Sequence, residues 1–231
     1  MNIIITGCSR GIGYETALAF SEVKDARLVL ISRNRIRLEE LTGRIQIAGK
    51  EALPLPFDLV EGDYQWLRNR IEDFMPAVDL LINNAGGIIN KPVGQLTEAD
   101  FDYLFSINIK SVFRIVKLLM PVFAKNGHVV NISSMGGFQG SSKFPGLSLY
   151  SASKGALATF SECLAEELKP LEVKVNCLAI GSVQTEMLAE AFPGYEAPVK
   201  PDQMGRFIRD FSLEGSKFFN GKVLPVALTT P

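Results

Sequence analysis

The sequence predicts an α/β fold, a doubly wound parallel sheet with helices on both faces, and three observations carry that prediction. Apolar runs of strand length alternate with longer stretches of helical spacing, and unbroken apolar strands mark a sheet that is buried on both faces. The first run leads straight into a glycine-rich turn and then a helix. The third carries Pro54 and Pro56, which cannot donate to a ladder and so put that strand at a sheet edge, as a doubly wound order requires.

Taken in order, the expected strands are 2–6, 27–31, 52–55, 78–82, 128–132, 173–178 and 223–226, and the expected helices lie near 11–22, 35–48, 61–75, 97–124, 150–169 and 202–213. No repeat, low-complexity tract or linker interrupts the series, so residues 1–231 are read as one domain, long enough to bury a substantial core. The stretch 185–201, with three prolines and a glycine, is the expected mobile loop or lid over a substrate. Trp66 and the phenylalanines at helical spacing are assigned to the core.

Composition narrows the function classes. The chain is 47% hydrophobic, and its 24 Lys plus Arg against 25 Asp plus Glu give a formal net charge of -1. That balance offers no general field for nucleic acid or an anionic membrane, while leaving room for a local basic site for one phosphate. Cys8, Cys163 and Cys177 are few, odd in number and widely spaced, which fits reduced thiols in a cytoplasmic protein better than a disulfide framework or a zinc site. Met1 runs directly into an apolar strand, and no apolar run approaches the roughly 20 residues that span a bilayer, so neither a signal segment nor a membrane anchor is expected. His128, the only histidine, falls in a strand and is read as structural, with no metal site.

The turn Thr6-Gly7-Cys8-Ser9-Arg10-Gly11-Ile12-Gly13 sets glycines where backbone must approach a ligand closely. Glycine permits positive φ and removes the Cβ that would block contact, and the helix that follows presents free N–H groups and a partial positive charge. A dinucleotide pyrophosphate suits that place; Cys8 is read as a small filler within it. The spacing Gly-x-x-x-Gly-x-Gly is joined by Asn83-Asn84-Ala85-Gly86 after the fourth strand, Asn108 in the following helix, Ser134 after the fifth strand, and Tyr150-Ser151-Ala152-Ser153-Lys154 opening the next helix. Together these residues resemble the short-chain dehydrogenase/reductase family, from Thr6 to about Val226. The resemblance implies a Rossmann-like oxidoreductase that interconverts a small-molecule carbonyl and an alcohol by hydride transfer with a nicotinamide cofactor. It also implies a homodimer or homotetramer associated through the helices equivalent to 97–124 and 150–169.

An acidic residue at the end of the second strand would bind the adenosine ribose hydroxyls and repel a 2′-phosphate. Here that strand ends Ile31-Ser32-Arg33, and Arg33 and Arg10 match the basic positions of NADP-preferring members. Either guanidinium can pair with a phosphate, so NADP(H) is the expected cofactor. Under the resemblance, Gly7, Ser9, Arg10, Gly11, Ile12 and Gly13 form the phosphate turn, and Ser32 and Arg33 flank the adenosine end. Asp58 and Leu59 either meet the adenine ring or form a helix-capping turn. Asn84, Ala85 and Gly86 let the cofactor pass while Asn84 ties neighbouring strands. Gly181, Val183 and Thr185 belong to the turn after the sixth strand, where Ile180 replaces the usual proline.

Tyr150 and Lys154, four residues apart on an expected helix, share one face. A free Tyr has a pKa of about 10, and bringing it to about 7 takes roughly 4 kcal/mol, a shift expected from the adjacent ammonium and a positive nicotinamide. The resemblance makes Tyr150 the general acid/base and Lys154 its activator and a ligand of the nicotinamide ribose. It makes Ser134, second of the Ser133-Ser134 pair, the partner of the substrate oxygen, and Asn108 the anchor of a water linked to Lys154. Two features depart from the family. Ser134 and Tyr150 lie 16 positions apart, a few more than usual, which puts an insertion in residues 136–148 beside the substrate pocket, and Ala227-Leu228-Thr229 replaces a glycine-rich ending. Pocket walls are expected from 136–149 and 186–200. The alternative function is a non-catalytic NADP(H)-sensing binding protein of the same fold.

Overall fold

A computed structural model describes residues 1–228; Thr229, in the departing C-terminal segment, lies outside them. Strands β1 (Asn2–Thr6), β2 (Arg27–Ser32), β3 (Glu51–Pro56), β4 (Val78–Asn83), β5 (Phe123–Ser134), β6 (Lys174–Ile180) and β7 (Lys222–Val226) form one parallel sheet in the order β3-β2-β1-β4-β5-β6-β7. Alternate side chains on each strand enter opposite cores. Ile4, Val29, Leu81 and Val129 pack under α3 (Tyr64–Phe74), α5 (Ser111–Leu119) and α6 (Ser148–Glu167). Ile3, Ile5, Leu28 and Ile82 pack under α1 (Gly11–Phe20), α2 (Arg35–Ile47) and α8 (Pro201–Glu214). β3 pairs only with β2, Pro54 standing opposite Leu30 and Pro56 opposite Ser32, so the missing N–H groups cost no ladder bonds.

Three expectations about elements are corrected. The single helix expected over 97–124 is α4 (Glu98–Phe105), a π-helical turn at Ser106–Lys110 and then α5. It stops at Leu119 because Pro121 permits only a short 3₁₀ turn before β5 begins. The stretch 185–201 contains a further helix, α7 (Glu186–Ala191), and Val183 bridges to Val199; prolines close behind so short a helix hide it from periodicity. Trp66 and several phenylalanines are not core: Trp66 is 42% exposed, Phe113 46% and Phe207 41%. Each stands beside a buried residue, Leu67, Val112 and Ile208 respectively, and neighbours along a helix point to different faces. Trp66 instead stacks on Phe57 with ring centroids 6.1 Å apart.

His128 links β5, β6 and α8. Its Nδ1 lies 2.9 Å from the Ser212 carbonyl oxygen and its Nε2 3.0 Å from Asn176 Nδ2. The Asn176 amide cannot flip, because its Nδ2 also donates to the Phe219 carbonyl and its Oδ1 accepts from the Lys222 N–H. Nδ1 therefore carries the hydrogen and Nε2 accepts, which fixes a neutral tautomer. Burial pushes the imidazole from 6.5 down to about 4. Below pH 6.5 the unfolded chain binds a proton that the folded chain refuses until about 4, so this group's stabilisation is complete above 6.5 and is lost as pH falls through that window. The predicted loss is about 3 kcal/mol. Urea unfolding at pH 7 and pH 4 should therefore show a larger drop in stability for the wild type than for His128→Gln, and equal drops would refute the assignment.

Candidate active site

A cleft of about 580 Å³ opens at the carboxyl ends of the central strands, where open α/β sheets bind ligands. At one end is the turn between β1 and α1. Gly7 has φ +68° and Gly11 φ +58°, and a Cβ on Gly7 would stand 2.6 Å from the Ala85 Cα, so only glycine lets the two chain segments meet. Asn84 holds the turn from behind, its Nδ2 donating to the carbonyl oxygens of Thr6 and Gly7 at 3.2 and 3.0 Å. α1 starts with no side chain capping it and no acid in its first turn. Its first N–H groups have no intrahelical partner, and that end can accept an anion. The diphosphate of a dinucleotide fits this cradle.

The catalytic candidates share the other part of the cleft, whose wall includes Ser134, Tyr150 and Lys154. Lys154 is buried on α6, and its Nζ donates to the Ile132 carbonyl oxygen at 2.8 Å. Burial lowers its pKa to about 8, with Cys177 opposing the fall. Burial raises the Tyr150 phenol above its ordinary 10, and a hydrogen bond with Ser134 works against the rise. Among the protein's own groups desolvation is the largest influence on both side chains, whereas the expected acidification of the phenol involves the ammonium together with a positive nicotinamide. The two serines have separate tasks. Ser133 Oγ donates to the Lys154 carbonyl oxygen at 2.8 Å and is buried, whereas Ser134 Oγ accepts from the Gly136 N–H at 3.1 Å and keeps its own hydrogen for the cleft.

The remaining predicted residues separate clearly. Ser9, Arg10, Gly11, Ile12, Ser32, Arg33, Leu59, Ala85, Gly86, Gly181, Val183 and Thr185 all line the cleft; Gly13, Asp58 and Asn108 do not. Gly13 lies behind the turn, where a Cβ would come within 2.3 Å of Asn84 Nδ2 and 2.4 Å of the Gly7 carbonyl oxygen. Asp58 Oδ1 accepts from the Val60 N–H at 2.8 Å and closes a local turn, while the helix that follows is capped by Asp63, so Asp58 is not a helix cap. Asn108 is buried in the π turn, and its amide is used by protein partners. Its Nδ2 donates to the Gly87 carbonyl oxygen and to Ser153 Oγ, and its Oδ1 accepts from the Gly87 N–H. It lies under Gly86, where an added Cβ would meet Asn108 Oδ1 at 2.9 Å and Lys154 Nζ at 3.2 Å. Thr185 Oγ1 accepts from the Leu188 N–H, capping α7. Arg10 is not held free for a ligand: its guanidinium grips Glu190 of α7 at 2.6 and 3.3 Å.

The apolar wall takes Phe144 and Leu147 from the expected stretch 136–149 and Met187, Phe192 and Tyr195 from the expected stretch 186–200, and sequence reasoning missed Ile88. No pattern in the chain signals Ile88. Cys8 is buried and its thiol is pushed up to about 12, consistent with a filler. Among the described residues no cluster of His, Cys, Asp or Glu could hold a metal ion, and no helix is long and apolar enough to cross a membrane.

A sequence profile described as short chain dehydrogenase matches residues 1–196. A fatty acyl-CoA reductase from Acinetobacter baylyi is 34% identical over 191 residues, covering 80% of this chain and 63% of that protein, so the chain spans less than two-thirds of that relative. The 3-oxoacyl-[acyl-carrier-protein] reductase FabG of Thermotoga maritima is 27% identical, with 96% of this chain and 94% of that protein covered. A short chain dehydrogenase from Burkholderia cenocepacia, solved in complex with NADP, superposes with a TM-score of 0.86 at 25% identity, covering 97% of this chain and 95% of that one.

The packing behind the turn yields a direct test. Gly13→Ala must move the Gly7 carbonyl or the Asn84 amide, and overpacking of this kind costs about 1–3 kcal/mol. Gly43→Ala in α2 meets nothing within 4 Å and should be neutral or stabilising by up to about 1 kcal/mol. Thermal unfolding of the two variants checks this, and equal behaviour would contradict the crowding at Gly13.

Proposed function

The chain belongs to the short-chain dehydrogenase/reductase family of oxidoreductases, and on that premise we propose that it is an NADP(H)-dependent enzyme interconverting a carbonyl and an alcohol, with Tyr150 as general acid/base. The observation that carries this reading is the meeting of Ser134, Tyr150 and Lys154 in one cleft with an uncapped helix N-terminus and its glycine turn. Bound there, the dinucleotide would supply or accept the hydride. Gly7, Gly11 and the first N–H groups of α1 would hold its phosphates, and Ala85 and Gly86 its passage toward Lys154.

Each catalytic side chain has a task its surroundings allow. The phenol of Tyr150, kept protonated by burial, donates its proton to the carbonyl oxygen during reduction and takes it back during oxidation. Ser134 donates to the same oxygen and holds it in line with the phenol. Lys154 has three N–H bonds, and its bond to the Ile132 carbonyl leaves two for ribose hydroxyls or water beside the phenol. Its ammonium, in the charged form, stabilises the phenolate left after proton transfer. Asn108 acts from below: by fixing Gly87 and Ser153 it holds the floor on which Lys154 lies. A protein that only sensed the cofactor would have no use for this buried acid–base set.

NADP(H) is favoured by the adenosine end of the cleft. Ser32 Oγ donates to Ser9 Oγ at 2.8 Å, the strand end carries no acid, and Arg33 is exposed at the rim. The substrate end, bounded by Ile88, Phe144, Leu147 and Phe192, suits a carbonyl on an apolar body. Phe101 and Phe113, exposed on α4 and α5, favour association of copies as a homodimer or homotetramer.

Two variants test the proposal. Tyr150→Phe should keep NADPH binding and lose about 10²–10⁴-fold in turnover with a panel of ketones, aldehydes and 3-oxoacyl thioesters; near-normal turnover would refute the role. Arg33→Asp should move the NADPH/NADH preference toward NADH, measured as a kcat/KM ratio, and an unchanged ratio would sink the NADP assignment.

A further inference from the structure

We propose that Glu190 is a specificity-determining residue for the nicotinamide cofactor, competing with the adenosine 2′-phosphate for Arg10 and so making the hold on α7 depend on which cofactor is bound. The proposal rests on reading Arg10 as a phosphate ligand. Arg10 stands in the phosphate turn, 180 positions from Glu190, yet Nη1 meets Oε1 at 2.6 Å and Nη2 meets Oε2 at 3.3 Å. Such a two-pronged pair uses the fork of the guanidinium that would otherwise grip a phosphate.

Glu190 does not act alone. Glu186, one helical turn earlier on the same side of α7, lies 3.8 Å from Arg37 Nη1 in the first turn of α2, and its charge also reaches Arg10. α7 therefore lays two carboxylates against two arginines of the adenosine side. Its far end is tied to the substrate side, where Asn90 Nδ2 donates to the Ala191 carbonyl oxygen at 2.9 Å, and Met187 and Leu188 form part of the cleft wall. The helix thus touches both halves of the site.

The competition is physically balanced. The side chains of Arg10 and Glu190 are 38% and 63% exposed, and ion pairs this open to water are weak. A phosphate dianion brings more charge than one carboxylate and displaces it. An adenosine with only hydroxyls brings none, so Arg10 stays on Glu190 and α7 stays clasped. Removing the carboxylate should accordingly strengthen binding of the phosphorylated cofactor alone.

Fluorescence titrations of NADPH and NADH onto the full-length wild type, Glu190→Gln, Arg10→Gln and the double variant test this. Glu190→Gln should tighten NADPH by about two- to five-fold, the range of an exposed pair, and leave NADH unchanged. The double variant should bind NADPH no better than Arg10→Gln. No change for NADPH in Glu190→Gln, or an equal gain for NADH, overturns the competition while leaving Arg10 as a phosphate ligand. An unchanged NADPH/NADH ratio in Arg10→Gln overturns the proposal through its premise.

Discussion

A parallel sheet buried on both faces excludes polar side chains from most of its length, and that constraint decides where chemistry can occur. Ile3, Ile4 and Ile5 of β1 and Leu28 to Ile31 of β2 are fully buried, so those strands carry nothing reactive. Polar side chains that enter the sheet pair across strands, Asn83 donating to Asn131 and Asn176 to His128, and the buried Asn83 Oδ1 is left without a partner among the described residues. Reactive groups are left to the carboxyl ends, where the chain leaves the ladder and backbone N–H groups become free. There Thr6 Oγ1 accepts from the N–H groups of both Asn84 and Ala85 at 3.1 Å, binding the end of β1 to the end of β4. The glycine turn is thereby fixed against the segment that would carry a cofactor past Lys154.

Burial also sets the electrostatics. One environment acts oppositely on a cation and a phenol, lowering Lys154 and raising Tyr150, because each is pushed toward its uncharged form. The protein's own groups do not resolve this, since among the described residues Lys154 Nζ has one acceptor, the Ile132 carbonyl, and Cys177, pushed up to about 11 by burial, stays a neutral thiol. The proton balance of the pair therefore depends on what enters the cleft. Hydroxyls accepting from Nζ favour the ammonium, and a charged lysine in turn makes the phenolate accessible. Reading the pair from its spacing captures the shared cleft, while spacing carries no information about solvent.

How legible the molecule was follows from the range of the forces involved. Strand positions and the edge place of β3 depend on local apolarity and on two prolines, and both stand in the sequence. Gly7 and Gly11 could be found because positive φ selects glycine, and the packing role of Gly13 looks the same in sequence as a ligand contact. The π turn at Asn108 leaves no such mark: the one extra residue per turn preserves the helical pattern while redirecting the Asn side chain onto Gly87. Arg10 was legible as a cation in the right turn but not as half of a pair with Glu190, because no local pattern joins residues so distant. Asp58 had two readings, and only coordinates show its carboxylate serving the Val60 N–H.

The site has two halves with different physical requirements. Ser134, Tyr150 and Lys154 sit on β5 and α6, and Ser133 ties the two elements together by donating to the Lys154 backbone. Groups that exchange a proton tolerate little displacement, and packed elements supply that rigidity. The apolar wall of the cleft instead comes from residues 136–147 and 185–201, tied to the rest of the molecule by scattered contacts such as Lys91 N–H to the Gly146 carbonyl, Asn90 to Ala191 and the exposed Arg10–Glu190 pair. Phe144, Leu147, Phe192 and Tyr195 offer area and shape, and area acts without direction. In the proposed reaction, orientation of a substrate would then come from Ser134 and Tyr150, and the loops would select for volume. This is why the reaction class can be read from a few spaced residues and the substrate cannot: one is written in directional groups on rigid elements, the other in apolar surface that meets only after folding.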